Sequence, residues 1–448
     1  MLESAAARER AISLVDLARK KGADAADAVY VGDRSQGVSV RLGQLEDVHR
    51  SEGEEIGLRV FLGKRNATVA SSDLSADALE TLVERVLAMA AEAPEDQFAG
   101  LAPEELLFRE QPIDLDLDDG GDPDPANLRE RALAAEDSAR AVKGITNSGG
   151  AGASSSASIF AIATSHGFCG STQATGYSNS VSVVGGEGGT MQRDYAWHSA
   201  RHLADLEAPE EIGRRAAERA VARLNPVSIK PGKMPILFDP RVATTLLGHF
   251  IAAISGSAIA RQASFLLDAL GTQVFAPGIT IRDDPFRKRG LRSRVFDGEG
   301  LPVQPLDLVR DGVLATWLAD SAAARQLGIP PTGHAVRGVS GSPGAGPANL
   351  HIAAGQRSRE EMIADIKQGI LVTELIGHGV NGVTGDYSRG AAGFLISDGE
   401  IGPAVAEITI ASNLRQMFAM LEPAGDLRFR RGIDSPTLLV PEMVVASA

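Results

Sequence analysis

Hydrophobic and polar residues alternate along the first part of the chain. Val38, Val40 and Leu42 recur at a spacing of two, and the same spacing returns between Ile56 and Leu62. A period of two turns one side of a segment toward a core and the other toward solvent, which is typical of half-buried β-strands. Because glycines punctuate these segments at short intervals, the pattern predicts an antiparallel meander rather than a βαβ unit.

Other segments show the spacing of amphipathic helices. Apolar residues from Leu79 to Ala90 recur at i, i+3, i+4 and i+7, and Pro94 ends the pattern. Similar patterns predict helices over residues 3–21, 126–142 and 209–224. A further helix is predicted to begin at Pro240, with Asp239 as its N-cap residue.

Two polar or small-residue stretches interrupt these elements. The run from Leu115 to Pro125 is too acidic and turn-rich for a regular element, and no glutamate lies where a calcium loop requires one. We interpret it as a solvated loop. The run Gly149–Ala153 resembles a dinucleotide-binding loop only superficially, since no suitable strand and helix flank it. We expect a flexible loop that leads into a strand.

The pattern divides the chain into two domains of different composition. Asn225-Pro226 is the expected boundary, because the residue before a proline is disfavoured in helical geometry. Beyond it the strands are short and bounded by glycine, and Asp398-Gly399 marks a hairpin. The predicted fold class is α+β. Residues 1–225 form an antiparallel sheet with flanking helices, and residues 226–448 form a mainly β domain.

Composition limits the possible partners and compartments. The chain has 44 Lys and Arg against 58 Asp and Glu, a formal charge of -14, which makes nucleic acid an unlikely partner. A single cysteine, Cys169, excludes an intramolecular disulfide framework and fits a reducing compartment. No apolar leader or membrane-length segment is evident. We therefore expect a cytoplasmic protein that contacts no membrane.

Basic residues cluster at one place in this acidic chain. Arg287, Lys288 and Arg289 are followed by Arg292 and Arg294, and we take this run as the chain's one basic patch. Such a run is usually a solvated face. Contact with an acidic partner or substrate is the alternative interpretation.

Candidate catalytic groups are few. His249 lies on an apolar helical face, where a histidine is usually a core residue. His334, His351 and His378 lie on glycine-rich segments, and the sequence leaves open whether they converge with it on a metal. Cys169 follows His166 by three residues, which is weak support for an activated thiol. The run around Ser340 lacks the final glycine of a nucleophile elbow.

One segment is denser in polar groups than a structural hairpin needs. It contains Thr384, Gly385, Asp386, Tyr387 and Arg389. Asp386 and Arg389 could pair across a turn and brace it. Alternatively, they could hold a peptide or a partner chain through charge-assisted hydrogen bonds. We name these five residues as candidate contacts with substrate or partner.

Several of these segments resemble the TldD/PmbA (TldE) family, specifically its PmbA/TldE branch. The resemblance is strong from about Pro235 onward and weak before it. The runs that carry it are FLLDALG at 265–271, TGHA at 332–335, LVTEL at 371–375, TGDYSRGAAGF at 384–394 and LLVPEM at 438–443.

The same resemblance identifies an incomplete metal motif. The catalytic TldD-type subunit carries His-Glu-x-x-x-His on a helix where this chain has Gly248, His249 and Ala253. A late cysteine supplies a third zinc ligand in that subunit, whereas residues 432–436 of this chain read GIDSP. A zinc peptidase needs ligating imidazoles and a carboxylate that activates water. We therefore expect no metal ligands, no catalytic residues and no cofactor in this chain.

The resemblance implies a TldE/PmbA-type subunit of a cytoplasmic metallopeptidase that acts on unfolded or modified peptides. Zinc would belong to a TldD-type partner in a heterodimer, and this chain would complete an enclosed substrate channel. A homodimer of this chain alone is also possible. Two alternatives from other classes stay open. One is a self-sufficient hydrolase with an unrecognised site, and the other is a non-catalytic binding or regulatory homodimer, including the family's older label of a modulator of DNA gyrase.

Overall fold

One antiparallel sheet of six strands forms the framework of the first half of the chain. The computed structural model describes residues 1–447, so Ala448 of the predicted second domain lies outside it. The strands are β1 (Ala25–Arg41), β2 (Gln44–Leu62), β3 (Arg65–Ser71), β4 (Ile145–Thr164), β5 (Cys169–Gly185) and β6 (Gln192–Ala200). Their order is β3-β2-β1-β4-β5-β6, and every neighbouring pair is antiparallel.

Four helices accompany this sheet, each within a few residues of its predicted position. They are α1 (Ser4–Lys20), α2 (Ala76–Glu92), α3 (Pro125–Arg140) and α4 (Pro209–Ala222). Helices α1 and α2 bury Leu14, Leu82 and Val86 against strands of the sheet. Helices α3 and α4 bury mainly alanine, so their backbones approach closely, and Gly213 faces the Ala135 carbonyl.

The expectation of a flexible loop at Gly149–Ala153 is wrong. These residues lie inside β4, where Ala151 pairs with Val40 of β1 and Val181 of β5. Ala151 and Ala153 are buried in a core that α3 also covers. Strands are predicted from β-branched and aromatic residues, which this segment lacks. A central strand made of small residues is therefore predicted as a loop.

The acidic run from Leu115 forms no regular element before α3 begins at Pro125, in keeping with the prediction, but it is not simply solvated. Asp119 accepts a hydrogen bond from the Tyr177 hydroxyl at 2.6 Å, and Asp116 pairs with Arg289 at 2.6 Å. Leu115 is buried. The run is therefore held against the protein by its own carboxylates.

The second half of the chain is mainly β. Its strands are β7 (Gly232–Phe238), β8 (Ile281–Asp283), β9 (Leu306–Arg310), β10 (Val313–Leu314), β11 (Ala335–Val336), β12 (Gly344–Ala345), β13 (Leu350–Ile352), β14 (Gln368–Ile376), β15 (Asp386–Ser397), β16 (Glu400–Asn413), β17 (Glu422–Pro423), β18 (Ile433–Asp434) and β19 (Leu438–Ser447). Its helices are α5 (Pro240–Ala253), α6 (Gly256–Ala260), α7 (Ser321–Leu327), α8 (Arg359–Ala364) and α9 (Leu414–Met420).

These strands form three sheets. The largest has the order β16-β15-β14-β7-β19-β17, and β16 also pairs with β19, so that five of its strands close on themselves. Strands β7 and β14 are parallel, whereas the other pairs in this sheet are antiparallel. The second sheet has the order β10-β9-β8-β13-β18, and β11 pairs with β12.

The predicted hairpin at Asp398-Gly399 is confirmed. It joins β15 to β16, with Ser397 opposite Glu400. Asp398 has φ 49° and Gly399 has φ 84°, so both central residues are left-handed, as a type I′ turn requires.

The predicted fold class is confirmed: an α+β chain with an antiparallel N-terminal sheet, flanking helices and a mainly β second half. The division at residue 225 stays a prediction. The two halves share a hydrophobic cluster in which Val29, Ile162 and Phe168 meet Val295 and Phe296. Within residues 1–447, no helix has the length and apolar character that crossing a bilayer requires.

Candidate functional site

Helix α5 is the element on which the resemblance places the metal motif. The Asp239 side chain accepts a hydrogen bond from the Arg241 amide at 3.1 Å, and Pro240 occupies the first turn, so this end is fixed as predicted. The buried face contains Val242, Ala243, Leu246, Leu247, Phe250 and Ala253. This face anchors α5 in the largest core of the protein.

The motif positions of α5 do not fit a zinc ion. Gly248 is exposed and carries no side chain, and Ala253 presents only a buried methyl group. In the region of the late cysteine, Ser435 is buried, and its hydroxyl donates to the Pro436 carbonyl. Among residues 1–447, no three His, Cys, Asp or Glu side chains are grouped so that they could hold a metal ion.

His249 instead faces two residues of the predicted polar segment. Its ring meets the Tyr387 ring edge-on, with centroids 6.1 Å apart and planes at 81°. Burial lowers the pKa of His249, and the positive charge of Arg389 lowers it further. The imidazole is therefore neutral at neutral pH. Sequence reasoning treated this histidine as isolated, because Tyr387 and Arg389 lie on a distant strand.

The group formed by His249, Tyr387 and Arg389 contains polar atoms that lack hydrogen-bond partners within residues 1–447. The His249 Nε2 atom and the Tyr387 hydroxyl are both buried without a hydrogen-bond partner in the described residues. The Arg389 Nε atom donates to the Ile376 carbonyl at 3.3 Å, and Arg389 forms no ion pair with a described acidic side chain. A buried polar atom without a hydrogen-bond partner lowers the stability of the fold. This group is therefore suited to form a hydrogen bond with a ligand, a water or another chain.

The other residues of the polar segment form a separate turn in which Thr384 and Asp386 are exposed and Gly385 is buried. The Thr384 hydroxyl donates to Asp386 at 2.6 Å, and the Asn413 amide donates to Asp386 at 3.2 Å. Gly385 has φ 80°, a left-handed conformation that favours glycine. Asp386 does not pair with Arg389, because side chains three positions apart on a strand point to opposite faces. A role of these five residues in contacting substrate or partner stays a prediction.

The four histidines considered as a metal cluster lie in different surroundings. His334 is buried with its Nε2 atom 3.2 Å from Asp283. The His351 ring packs edge-on against Phe429 at 5.0 Å, and His378 is exposed on a turn. His249 faces Tyr387.

Burial raises the pKa of the Cys169 thiol, the opposite of what an activated nucleophile needs.

A cleft of about 410 Å³ lies where the two halves of the chain meet. Its walls come from β6, α4, the starts of α5 and α8 and the loop between β17 and β19. The loop and α5 are the two elements on which the resemblance places the zinc ligands. Arginine dominates the lining, which contains Arg215, Arg219, Arg241, Arg359, Arg428, Arg430 and Arg431 against Asp239, Glu360, Asp426 and Asp434. We call it the arginine cleft.

The prediction that residues 287–294 form the chain's one basic patch is wrong, because the arginine cleft is a second one. The predicted patch is partly neutralised within the chain, since Arg287 pairs with Asp434 at 3.3 Å and Arg289 pairs with Asp116 and Asp205. A second basic run, Arg-Phe-Arg-Arg at 428–431, was the available signal. Its arginines join those of α4 and α5 only in the folded chain.

Comparisons with known proteins account for this architecture. Three family models match the chain: PmbA/TldA metallopeptidase domain 1 over residues 26–90, the central domain over 118–224 and the C-terminal domain over 231–447. The metalloprotease PmbA of Escherichia coli O157:H7 is 38% identical over 441 residues, covering 98% of this chain and 96% of that protein.

Solved structures share the whole fold. A Bacteroides thetaiotaomicron protein named as a modulator of DNA gyrase has a TM-score of 0.91 at 26% identity, covering 98% of this chain and 99% of that one. TldE from Thermococcus kodakarensis has a TM-score of 0.87 at 23% identity over 98% of this chain and 100% of that one, which supports the fold alone. With three matching domain models and a relative of 38% identity over nearly its full length, the chain belongs to the PmbA/TldD metallopeptidase family, in its PmbA branch.

Proposed function

We propose that this chain is the zinc-free, TldE/PmbA-type subunit of a cytoplasmic two-subunit metallopeptidase that acts on unfolded or modified peptides. A TldD-type partner would supply the zinc ion, its ligands and the general base. The single observation that carries the proposal is the composition of α5, where Gly248 and Ala253 replace ligating side chains within a well-formed helix. On this proposal, α5 keeps its helical form without the side chains that bind a metal ion.

Two further features support a role beside a catalytic partner. The arginine cleft lies next to α5 and offers a concave surface to a substrate. The group of His249, Tyr387 and Arg389 buries polar atoms that lack partners within residues 1–447. A subunit that completes a substrate channel would use both features.

Co-purification with a TldD-type chain from the same organism tests this proposal. We expect the mixed complex to elute as a heterodimer or a higher assembly, to contain zinc and to cleave an unfolded peptide. This chain alone should retain no stoichiometric zinc after dialysis against metal-free buffer and should cleave nothing. The partner purified alone is the control that locates the metal.

Two outcomes would contradict the proposal. About one zinc ion per isolated chain, with peptide cleavage, would favour a self-sufficient hydrolase. A stable homodimer that neither binds a TldD-type chain nor changes its activity would favour a regulatory or binding protein, the class to which the gyrase-modulator label belongs.

A further inference from the structure

We propose that the arginine cleft binds the acidic side chains of a peptide, so that the chain selects substrates or substrate segments rich in glutamate and aspartate. This inference deepens the proposed function and rests on it for the identification of the ligand as a peptide. The presence of an anion-binding site rests on the cleft alone.

Three arginines of the cleft have no salt-bridge partner in the described part of the chain. Arg219 on α4 and Arg428 and Arg431 on the loop form no ion pair with an acidic side chain of residues 1–447. Arg219 is half-buried, and burial, with the nearby charges of Arg241 and Arg215, lowers its pKa although Asp239 and Asp194 partly offset them. Holding like charges together in a partly desolvated site is unfavourable. A bound anion would relieve that repulsion.

The carboxylates of the cleft are already occupied. Asp426 accepts two hydrogen bonds from Thr437, at 2.8 and 2.7 Å. Asp434 accepts the amides of Arg430 and Arg431 and pairs with Arg287. Asp239 caps α5 and pairs with Arg359 at 3.3 Å. Three of the four lining carboxylates are therefore unavailable to the free arginines, and Glu360 is exposed at the rim.

Aromatic rings hold parts of this positive surface in place. The Arg431 guanidinium lies 4.8 Å from the Trp197 ring centroid, and Arg241 lies 5.2 Å from that of Tyr195. Stacking on a ring leaves the edge donors of a guanidinium free for a carboxylate. Among the free arginines, Arg431 is therefore oriented before a ligand arrives, which lowers the entropy cost of binding.

The distribution of charge favours a peptide over a single small anion. The free arginines come from two separate elements, and partly exposed aromatic rings lie between basic groups. A phosphate or sulfate could neutralise one guanidinium pair, but it would leave the ring surface uncovered. An acidic peptide segment supplies several carboxylates together with the apolar stems of its side chains.

Fluorescence anisotropy on the full-length isolated chain tests the proposal. The probe is a short labelled peptide with three glutamates in a glycine–serine background, and its control has glutamine at the same three positions. We expect the glutamate peptide to bind at least tenfold more tightly and to lose affinity as salt rises. Arg219→Gln and Arg431→Gln should each weaken binding about five- to tenfold.

Arg214→Gln is the matched control. Arg214 lies on α4 like Arg219, but it faces solvent, pairs with Glu211 and Glu218, and does not line the cleft. This variant should bind the glutamate peptide like the wild type. Thermal unfolding of each variant checks that all three are folded. A charge effect spread over the whole surface would weaken Arg214→Gln as much as Arg219→Gln, and this result would overturn the proposal.

Competition with inorganic phosphate tests whether the cleft prefers peptide carboxylates or a free phosphate ion. Phosphate at millimolar concentration should displace the peptide only as strongly as an equal ionic strength of chloride does. Displacement at micromolar phosphate, or equal binding of the two peptides, would contradict the peptide assignment. The measurement uses the isolated chain, so it is independent of the heterodimer proposal. Selective binding of the glutamate peptide would stand even if no heterodimer forms. Failure to bind it would not count against the heterodimer.

Discussion

At the scale of single residues, Tyr387 and His249 are the least satisfied polar groups of the predicted segment and its neighbourhood. Tyr387 lies in the core of the second half and His249 is half-buried beside it, and both bury an atom that has no hydrogen-bond partner in residues 1–447. Tyr30 offers the opposite case, because its buried hydroxyl accepts from the Leu2 amide at 3.0 Å and donates to Glu54 at 2.9 Å. The Tyr30 hydroxyl therefore stabilises the folded chain through its hydrogen bonds, whereas the Tyr387 hydroxyl forms none within the described residues.

Tyr387→Phe is the first prediction. Because the hydroxyl has no partner, its removal should leave the unfolding free energy of the isolated chain unchanged or slightly higher. The same variant should weaken assembly or activity of the mixed complex if the hydroxyl contacts the peptide or the partner chain, which we expect. Calorimetry of the chain and size-exclusion chromatography of the complex measure the two effects.

Tyr30→Phe is the control for this pair. It removes a hydroxyl with two partners and should cost about 1 kcal/mol of stability without affecting assembly. A Tyr387→Phe variant with wild-type stability, assembly and activity would remove Tyr387 from the candidate contacts.

At the scale of secondary-structure elements, two glycines lie inside helices in opposite environments. Gly248 of α5 is exposed, and a Cβ atom built on it meets nothing within 4 Å. Gly213 of α4 is buried, and its Cβ atom would lie 2.1 Å from the Ala135 carbonyl oxygen. The first glycine is therefore replaceable in structural terms, whereas the second allows α3 and α4 to approach closely.

Alanine substitution at these two positions should change stability in opposite directions. Gly248→Ala should stabilise the isolated chain by about 0.5–1 kcal/mol, because alanine restricts the unfolded chain and favours the helix. Gly213→Ala should destabilise it by about 1–3 kcal/mol, since the new methyl group forces the two helices apart. Urea unfolding measures both. A loss of stability in Gly248→Ala would mean that this position is constrained by contacts that the isolated chain does not show.

Local signals explain which elements could be predicted from the sequence. The Asp239-Pro240 start of α5 and the Asp398-Gly399 hairpin depend on residues adjacent in the chain, and both are confirmed. The strand through Gly149–Ala153 depends on pairing with β1, more than a hundred residues earlier, and its small residues carry no local signal. The arginine cleft was missed for the same reason, because its walls come from segments as distant as Trp197 and Arg431.

At the scale of the whole molecule, arginines join the two halves. Arg325 of α7 donates to the carbonyls of Phe98, Gly100 and Leu101 at 2.7, 2.8 and 3.1 Å. Arg201 reaches the Leu291 carbonyl, and Arg241 pairs with Asp194 at 2.9 Å. A guanidinium has several donors in a fixed fork, so one side chain can satisfy several acceptors across a boundary. These contacts complement the shared hydrophobic cluster.

The most deeply buried of these links has an aspartate at its centre. Asp27 on β1 bonds with Arg59 on β2, and it pairs with Arg337 of the second half at 2.9 Å. Burial alone would raise the pKa of Asp27, but the two guanidiniums outweigh it and hold the pKa below its ordinary value. Its contribution to stability is therefore present at neutral pH and is lost as the pH falls through the pKa of the folded state.

Asp27→Asn should therefore destabilise the whole molecule rather than one half. The substitution leaves two buried guanidiniums without their anion, which typically costs 3–5 kcal/mol. Glu442→Gln is the control, because it breaks an exposed pair with Lys233 and should cost less than about 1 kcal/mol. We expect a single urea transition that moves to lower denaturant in Asp27→Asn. If the halves are coupled only weakly, the variant will instead unfold in two transitions, with the N-terminal sheet lost first, and the arginine links would then be contacts between separately stable units.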